Sequence, residues 1–392
     1  MRLRMNRSYL GDRLLGVRVS DLASSLCFAA CYLSMIFQLL GGSWQPALRV
    51  SAIVFAVILL AYMVGKGLVG TKVIIAGLAL VSFTLVDAFV IGSKDLPALM
   101  QMYIMFVLGL YLVRCNVLVV VARVIFWIVL ASMAYLYSIS PNHYEIFPTQ
   151  GRNFCGAYAL LAFMVLAIAA TRKDGRVTNE LMASAIACLA LSVYTVGRGS
   201  ILACALLVAL VFVVRLKNNK GVTSRALSVS MVVIVAVSSF FLAMLVDGDL
   251  ANQLFGRFGS VSAGRSDEAR SMLYGDYLSA VLSNRDALLF GMDPRRIVNA
   301  TIIATGGNLH CSYLQWHANF GLAGLLVLVG TVALGLRRLW IDGNQVVCVA
   351  AAAVFVRAMT DTMLVGGIWD IAFFFLLFTV ILHGGSKLRS SQ

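Results

Sequence analysis

Residues 153–170 read NFCGAYALLAFMVLAIAA, a run of eighteen residues without a charged side chain. A helix of about 17–25 apolar residues is long enough to cross the hydrocarbon core of a bilayer. Because this run is apolar on every side, it predicts a membrane-spanning helix. Similar runs follow one another along almost the whole chain.

The overall composition also indicates a membrane protein. Hydrophobic residues make up 61% of the 392 residues and charged residues only 12%, whereas soluble domains have about 45–50% and about 25%. So few charges cannot cover a water-exposed surface, which excludes a soluble enzyme, and the same numbers exclude a disordered chain. We predict an all-α polytopic membrane protein that forms one integral membrane domain over residues 1–392.

Twelve segments qualify as candidate transmembrane helices by length and apolar content. Only very short turns separate the fourth segment from the fifth and the seventh from the eighth. The division of each pair into two spans depends on these turns. The candidate spans are residues 22–40, 49–65, 72–91, 97–113, 117–137, 153–170, 180–197, 199–214, 226–246, 317–336, 344–364 and 368–384.

Basic residues indicate the orientation of these spans. Lys and Arg accumulate in cytoplasmic loops, and a cytoplasmic N-terminus puts 20 of the 31 in inner segments and only 4 in short outer loops. We therefore predict cytoplasmic termini and an external connection over 247–315, between spans nine and ten. The same rule accounts for the net charge of +14, so we expect no nucleic-acid partner.

The external connection is far longer than the usual 2–8 residues between helices, which favours a functional loop. Within it, residues 266–282 are polar on one side and apolar on the other. This pattern predicts an amphipathic helix that lies on the outer membrane face. Gly306-Gly307 predicts a turn.

Charged residues inside predicted spans are costly unless they are paired or functional. We expect Asp87 near the outer interface, satisfied by a neighbour, and Asp370 at the interface where the last span begins. Arg357 and Asp361 are four residues apart, which on a helix puts them on one face. They would form either a structural ion pair or a substrate contact.

Three arginines occupy external positions that the orientation rule disfavours. Arg152 and Arg198 lie at the outer edges of spans, and Arg265 begins the amphipathic segment. The rigid fork of guanidinium donors suits phosphate oxygens, so together these residues could bind a diphosphate. The alternative is that each contacts anionic lipid head groups.

His310 and His317 close the external loop. An imidazole can take a proton from an attacking hydroxyl at neutral pH, and we predict His310 as this base. If the segment is helical, the two imidazoles share a face, which would also suit a metal ion or simple packing. Asp247 and Asp249 resemble a DxD pair for Mg²⁺ or Mn²⁺, yet we predict no metal and no cofactor.

Short motifs surround this loop in a fixed order. They are Gly264-Arg265-Ser266-Asp267, Leu289-Phe290-Gly291-Met292, His310-Cys311-Ser312-Tyr313-Leu314 and Gly321-Leu322-Ala323-Gly324, with Arg152-Asn153 and Thr195-Val196-Gly197-Arg198-Gly199-Ser200 upstream. In this order they resemble the C-terminal signature of the O-antigen ligase and polymerase superfamily. The sequence departs from that signature at Cys311, Gly197, Met292-Asp293 and Asn319.

The resemblance implies a GT-C-like fold and a metal-independent inverting glycosyltransferase in the bacterial inner membrane. Its donor would be a glycan on undecaprenyl diphosphate, used at the periplasmic face. A polymerase, which we favour, would extend a surface polysaccharide, and a ligase would transfer the glycan to lipid A-core. Membrane lipids, a chain-length regulator and a flippase would be further partners.

The resemblance also implies roles for individual residues. His310 would be the base. The residues that would bind the diphosphate are Arg198, Arg265 and Arg152. The residues that would contact sugar are Asn153, Tyr274, Tyr313 and Trp316. The three aromatic residues would equally suit a position at the membrane interface.

Two other classes of function stay open. One is a transporter, such as a flippase for lipid-linked sugars, although transporters commonly contain repeated halves and this chain has no visible repeat. The other is a non-catalytic scaffold in a polysaccharide export complex. The polar residues gather at one outer loop, which favours the glycosyltransferase.

Overall fold

The computed structural model describes residues 13–14, 17–38, 41–91, 96–140, 151, 153–174, 177–218, 266–297 and 308–382. Within these ranges the fold is helical, apart from a short antiparallel pairing of Arg13–Leu14 with Val17–Arg18. The α-helices are α1 (Val19–Phe37), α2 (Gln45–Gly65), α3 (Thr71–Val86), α4 (Leu96–Arg114), α5 (Val119–Ile139), α6 (Asn153–Asp174), α7 (Asn179–Tyr194), α8 (Arg198–Asn218), α9 (Ser266–Leu282), α10 (Arg285–Phe290), α11 (Ser312–Ile341), α12 (Gln345–Ala358) and α13 (Asp370–Leu382).

Seven helices of the described residues are long and apolar enough to cross a membrane, namely α1, α2, α3, α5, α6, α8 and α11. The prediction of an all-helical fold is therefore confirmed for the part of the chain that is described. Four shorter apolar helices, α4, α7, α12 and α13, coincide with the predicted spans four, seven, eleven and twelve. The ninth predicted span, 226–246, lies outside the described residues.

The helix predicted from residues 153–170 lies at the centre of the bundle. Every residue from Phe154 to Ala170 is buried, and α6 contacts α5, α7, α8 and α12. A helix that is apolar all round needs neighbours on every side. Small side chains such as Ala157 and Ala159, both fully buried, allow those neighbours to approach closely.

The two divisions that depended on short turns are present. Helix α4 ends at Arg114 before α5 begins at Val119, and α7 ends at Tyr194 before α8 begins at Arg198. These breaks keep consecutive helices antiparallel. The first residues of α6 and α8 therefore lie at the same end of the bundle.

The eleventh predicted span, 344–364, is too long. Helix α12 ends at Ala358, and residues 359–369 form irregular backbone. Polar side chains compete for the backbone groups there: Thr360 donates to the carbonyl of Arg357, and Asp361 accepts the amide of Thr362. Such local bonds stop a helix, and they create the non-helical segment that carries Asp361.

Helix α11 begins at Ser312, before the predicted start at residue 317, and breaks at Gly321, where φ is 64° and ψ is −169°. Essentially only glycine adopts this backbone conformation. A Cβ atom at Gly321 would lie 2.1 Å from the carbonyl oxygen of Leu289. Helix α10 therefore packs directly against the break.

The amphipathic segment forms α9 with the predicted bounds, Ser266–Leu282. Its apolar stripe packs on protein, because Leu273, Tyr277 and Val281 form a small core with Leu309 and Ala318. This part of the apolar stripe therefore contacts protein, and the position of the helix on the outer membrane face stays a prediction. The start of α11 provides an apolar partner within the same chain.

Replacement of Gly321 by Ala should lower the unfolding temperature of the detergent-solubilised protein by several degrees. The strained backbone costs about 1–3 kcal/mol for a residue with a side chain, and the added Cβ meets Leu289. The matched control is Gly330→Ala in the same helix, where a Cβ meets nothing within 4 Å. Equal unfolding temperatures for the two variants would contradict this account of the break.

Candidate active site

A buried arginine lies where α6, α8 and α12 meet. The side chain of Arg357, in the last turn of α12, is only 1% exposed. Its Nε donates to Ser200 Oγ (3.0 Å), its Nη1 to Thr360 Oγ1 (2.8 Å) and its Nη2 to the carbonyl of Asn153 (3.0 Å). A guanidinium removed from water requires such partners. Arg357 therefore joins the starts of α6 and α8 to the end of α12.

The counter-ion of Arg357 is Asp361. The two side chains form an ion pair of 3.3 Å between Nη2 and Oδ2, and the Asp361 side chain is 6% exposed. The predicted pair is present, but not on one helix face, because α12 ends before Asp361. The other carboxylate oxygen, Oδ1, accepts the amide of Thr362 at 3.1 Å and lies 3.5 Å from Nδ1 of His310. Asp361 thus lies between a permanent cation and an imidazole.

His310 forms a sharp turn immediately before α11. Its φ of 49° is rare and strained for a residue other than glycine. Its amide donates to Asn308 Oδ1 (2.8 Å), and its carbonyl accepts the hydroxyl of Tyr274 (3.0 Å). The Nδ1 atom is buried, whereas the side chain as a whole is 32% exposed. The exposed surface therefore belongs to the other atoms of the imidazole side chain.

Ser312 connects the turn at His310 to the irregular segment after α12. Its hydroxyl donates to the carbonyl of Asp361 (2.8 Å) and accepts the amides of Met363 (2.8 Å) and Leu364 (3.2 Å). Irregular backbone in a membrane protein is tolerated where such bonds satisfy it. The serine thus holds the Asp361 carboxylate at a fixed place beside His310.

Sequence reasoning missed the uncharged polar residues of this network. They are Ser200, Asn308, Ser312, Thr360 and Thr362. Ser200 and Ser312 lie within motifs quoted for the family resemblance, which was the available signal. Asn308 and the two threonines carry no charge and no motif that would have distinguished them.

Of the three arginines predicted to bind a diphosphate, Arg198 lies within the described residues, whereas Arg152 and Arg265 lie outside them. Arg198 is the first residue of α8 and is half-buried. The next residue approaches the irregular segment closely, because a Cβ at Gly199 would lie 2.4 Å from Thr360 Oγ1. Arg198 therefore begins its helix at the end of the bundle where Arg357 and Asp361 pair.

The four residues predicted to contact sugar have different surroundings. The carbonyl of Asn153 accepts bonds from Ser200 and Arg357. The hydroxyl of Tyr274 donates to His310, and the hydroxyl of Tyr313 donates to the carbonyl of Phe355 at 3.3 Å. Tyr274 thus belongs to the His310 turn, whereas the Tyr313 hydroxyl contacts α12.

Trp316 is almost completely buried. It is 4% exposed, its ring packs against Phe320 and Phe373, and its indole N–H donates to the carbonyl of Gly324. This packing favours a structural role for Trp316, and its contact with sugar stays a prediction. Because α11 begins early, Trp316 lies inside the helical part of the chain rather than in the loop.

His317 is a packing residue. Its Nε2 donates to the carbonyl of Leu288 (3.0 Å), and its Nδ1 is bonded to the hydroxyl of Tyr277 (2.8 Å). His310 lies in a turn outside the helix, so the prediction that the two imidazoles share a helix face is wrong. The described ranges contain no group of three His, Cys, Asp or Glu residues that could hold a metal ion, and Asp247 and Asp249 lie outside those ranges.

Two aspartates predicted at the membrane interface are fully buried within the bundle. Asp87 begins a π-helical turn, Asp87–Ile91, that follows α3. Asp370 accepts the amides of Val365 (2.9 Å) and Gly366 (2.6 Å). It therefore stabilises the irregular segment before α13 rather than facing the head groups.

An apolar cavity of about 550 Å³ lies between α3, α11 and α13. Trp316, Phe320 and Phe373 form part of its wall, and Lys72 and Ile381 also line it. Trp316 follows His310 by six residues, so the cavity runs beside the helix that begins at the His310 turn.

Comparisons of the chain with protein-family models, with curated proteins and with solved structures find no match. The membership in the O-antigen ligase and polymerase superfamily that the motifs indicate therefore stays a prediction. The function has to be argued from the residues around Arg357, Asp361 and His310.

Replacement of Arg357 by Met should destabilise the detergent-solubilised protein by about 3–5 kcal/mol, because it leaves the Asp361 carboxylate buried without its cation. The double variant Arg357→Met/Asp361→Asn should recover part of this loss. Thermal unfolding measures both variants.

The matched control for this loss is Arg338→Met, which removes one partner of the more exposed i,i+4 pair Arg338–Asp342. A pair exposed to water contributes about 0–1 kcal/mol. An equal loss of stability in Arg357→Met and Arg338→Met would show that the buried pair is not a structural centre.

Proposed function

We propose that this protein is a membrane glycosyltransferase that moves a glycan from a polyprenyl diphosphate to an acceptor hydroxyl. The observation that carries the proposal is the series Arg357, Asp361 and His310. A buried cation holds a carboxylate, and the carboxylate lies 3.5 Å from an imidazole that is partly exposed. This is an arrangement suited to a general base.

The imidazole of His310 would act in its neutral form. With the Asp361 carboxylate beside Nδ1, the proton of the neutral ring resides on Nδ1, and Nε2 keeps its lone pair. The carboxylate then stabilises the imidazolium that forms after proton transfer, as in other carboxylate–histidine pairs. Arg357 holds Asp361 in position through their ion pair.

The chemical step is an inverting displacement at the anomeric carbon. The acceptor oxygen forms a bond to that carbon while the bond from the carbon to the diphosphate oxygen breaks. The proton of the acceptor hydroxyl moves to Nε2 of His310, and the polyprenyl diphosphate leaves with the electron pair. The leaving group is already a stable anion, so the protein mainly has to stabilise developing negative charge.

Arg198 is the described residue best suited to bind that charge. It begins α8 at the same end of the bundle as Asp361, and the first turn of a helix favours an anion. Arg152 and Arg265 would complete the diphosphate site. Arg357 would not contact the substrate, because its nitrogens donate to Ser200, Thr360, Asn153 and Asp361.

The apolar cavity beside α11 is suited to part of the lipid tail of the donor. Its wall is formed by aliphatic and aromatic side chains of α3, α11 and α13. A lipid chain in this cavity would run along the helix whose first turn follows His310. Binding there would hold the diphosphate end near the catalytic turn.

The finer parts of the proposal come from the motif resemblance. They are a twelve-span GT-C-like fold, undecaprenyl diphosphate as the lipid carrier, a bacterial inner-membrane location with cytoplasmic termini, and action at the periplasmic face. We favour a polymerase of O-antigen or exopolysaccharide units over a ligase that uses lipid A-core. The donor site and the base would be the same in both.

Deletion of the protein in its host distinguishes these functions. Loss of a polymerase leaves single repeat units, and loss of a ligase leaves long chains on the lipid carrier. Loss of a flippase instead traps repeat units inside the cell. Electrophoresis of lipopolysaccharide and secreted glycan reads out all three results, and the proposal predicts the first.

His310→Ala and Arg198→Ala should each abolish polymer formation in cells while the amount of protein in the membrane stays normal. Loss of the base alone should cost at least about 10²-fold in rate. The control is Arg338→Ala, whose guanidinium pairs with Asp342 and has no proposed role in catalysis. Wild-type polymer from both site variants would refute the assignment, and activity that EDTA removes and Mn²⁺ restores would favour Asp247 and Asp249 instead.

Ala76→Trp should raise the KM for the lipid-linked donor about tenfold or more, because the indole fills the cavity that Ala76 lines. Ala61→Trp is the control, since Ala61 is exposed on α2 and an indole there faces away from the cavity. Initial rates with purified protein and lipid-linked donor give the KM of each variant. An unchanged KM in Ala76→Trp would show that the cavity does not bind the donor.

A further inference from the structure

Helix α9 is joined to the start of α11 by two tyrosine hydroxyls on the same helix. Tyr274 donates to the carbonyl of His310 at 3.0 Å. Tyr277 lies one turn later, and its hydroxyl is 2.8 Å from Nδ1 of His317. One end of this connection is therefore the backbone of the proposed base itself.

The Tyr277 end of the connection is firmly anchored. Nε2 of His317 donates to the carbonyl of Leu288, so in the neutral ring Nδ1 is the acceptor. Burial raises the pKa of Tyr277, so its hydroxyl keeps the proton that it donates to Nδ1. Around this bond, Leu273 and Val281 of α9 pack with Leu309 and Ala318. Hydrogen bonds and apolar contacts thus fix α9 against the chain on both sides of His310.

The Tyr274 end acts on a strained residue. His310 has a positive φ of 49°, which a residue with a side chain keeps only where its surroundings enforce it. Two bonds hold its backbone: the amide donates to Asn308 within the same loop, and the carbonyl accepts Tyr274 from another element. Asn308 Oδ1 also accepts the hydroxyl of Thr362, so the amide side of His310 is tied to the segment after α12. The carbonyl side depends on Tyr274.

We propose that Tyr274 is a positioning residue of the reaction, and that α9 acts through it to keep the imidazole of His310 beside Asp361. This inference deepens the proposed function and rests on it. Tyr274 serves through its hydroxyl rather than by stacking on a sugar. A relaxed turn moves Nδ1 away from the carboxylate, to which it is only 3.5 Å distant, and catalysis depends steeply on such placement.

Tyr274→Phe tests the proposal, because it removes the hydroxyl and keeps the ring. With purified protein and lipid-linked donor, we expect kcat to fall about tenfold while KM for the donor stays the same. The loss should appear in kcat alone, because the turn places the base and does not bind the donor. A tyrosine that only stabilised the fold would change the amount of active protein but not the kcat of each active molecule.

The matched control is Tyr111→Phe, which removes another tyrosine hydroxyl bond, to Ser24 Oγ at 2.9 Å, between α1 and α4. It should leave kcat and KM unchanged. Tyr277→Phe is a second test variant, because it frees the other end of the connection without touching His310. It should change kcat in the same direction as Tyr274→Phe by a smaller factor.

A thiol probe reports on the turn without any substrate. Cys311 follows His310 and is half-buried, so its rate of reaction with a maleimide measures how tightly the turn is held. The other half-buried cysteines, Cys27 and Cys115, are replaced by Ala in the background chain. In this chain, Tyr274→Phe should make Cys311 react at least about threefold faster than in the chain without that substitution. Tyr111→Phe should leave the rate unchanged.

The two measurements distinguish the failure of each hypothesis. If the wild-type protein transfers no glycan, the proposed function is wrong, and the labelling rates alone decide whether Tyr274 holds the turn. If the wild-type protein is active, an unchanged kcat in Tyr274→Phe overturns the positioning role whatever the labelling shows. An unchanged labelling rate overturns it as well.

Discussion

The architecture depends on one guanidinium that is withdrawn from water. Arg357 donates to a serine on α8, to the first carbonyl of α6 and to the carboxylate of Asp361. Such a cation is tolerated only when its donors are satisfied, so it fixes three parts of the chain relative to one another. The irregular segment after α12 is fixed in position because it carries Asp361, the counter-ion of Arg357. His310 in turn lies beside that carboxylate.

This constraint explains why helices end where they do at one end of the bundle. Residues 359–369 give up helical bonds, and the side chains of Ser312 and Asp370 satisfy the freed backbone groups. Strained backbone occurs in the same region, because His310 and Val365 both have positive φ angles. Departures from regular structure of this kind cluster at functional sites. The rest of the bundle is regular and apolar, as its role of support requires.

The sequence was sufficient for most of the described helices, but not for the surroundings of His310. A long apolar run such as 154–170 is enough by itself to predict a buried helix, so the spans could be predicted from local composition. Asp361 was assigned to a helix because its neighbours are apolar, whereas the break depends on side-chain bonds to the backbone that no periodicity reveals. Trp316 was assigned to sugar contact because α11 was expected to begin later. Tyr274 was noted for its ring, and only the fold brings its hydroxyl to His310.

The central claim is that Asp361 keeps the proton of neutral His310 on Nδ1, so that Nε2 is free to accept another. Selective ¹⁵N labelling of histidine measures this directly in the purified protein, with His310→Gln to assign the signals. The account predicts that the neutral ring of His310 carries its proton on Nδ1 and leaves Nε2 unprotonated. A neutral ring with its proton on Nε2 would contradict it, because Nε2 could not then accept the proton of an acceptor hydroxyl.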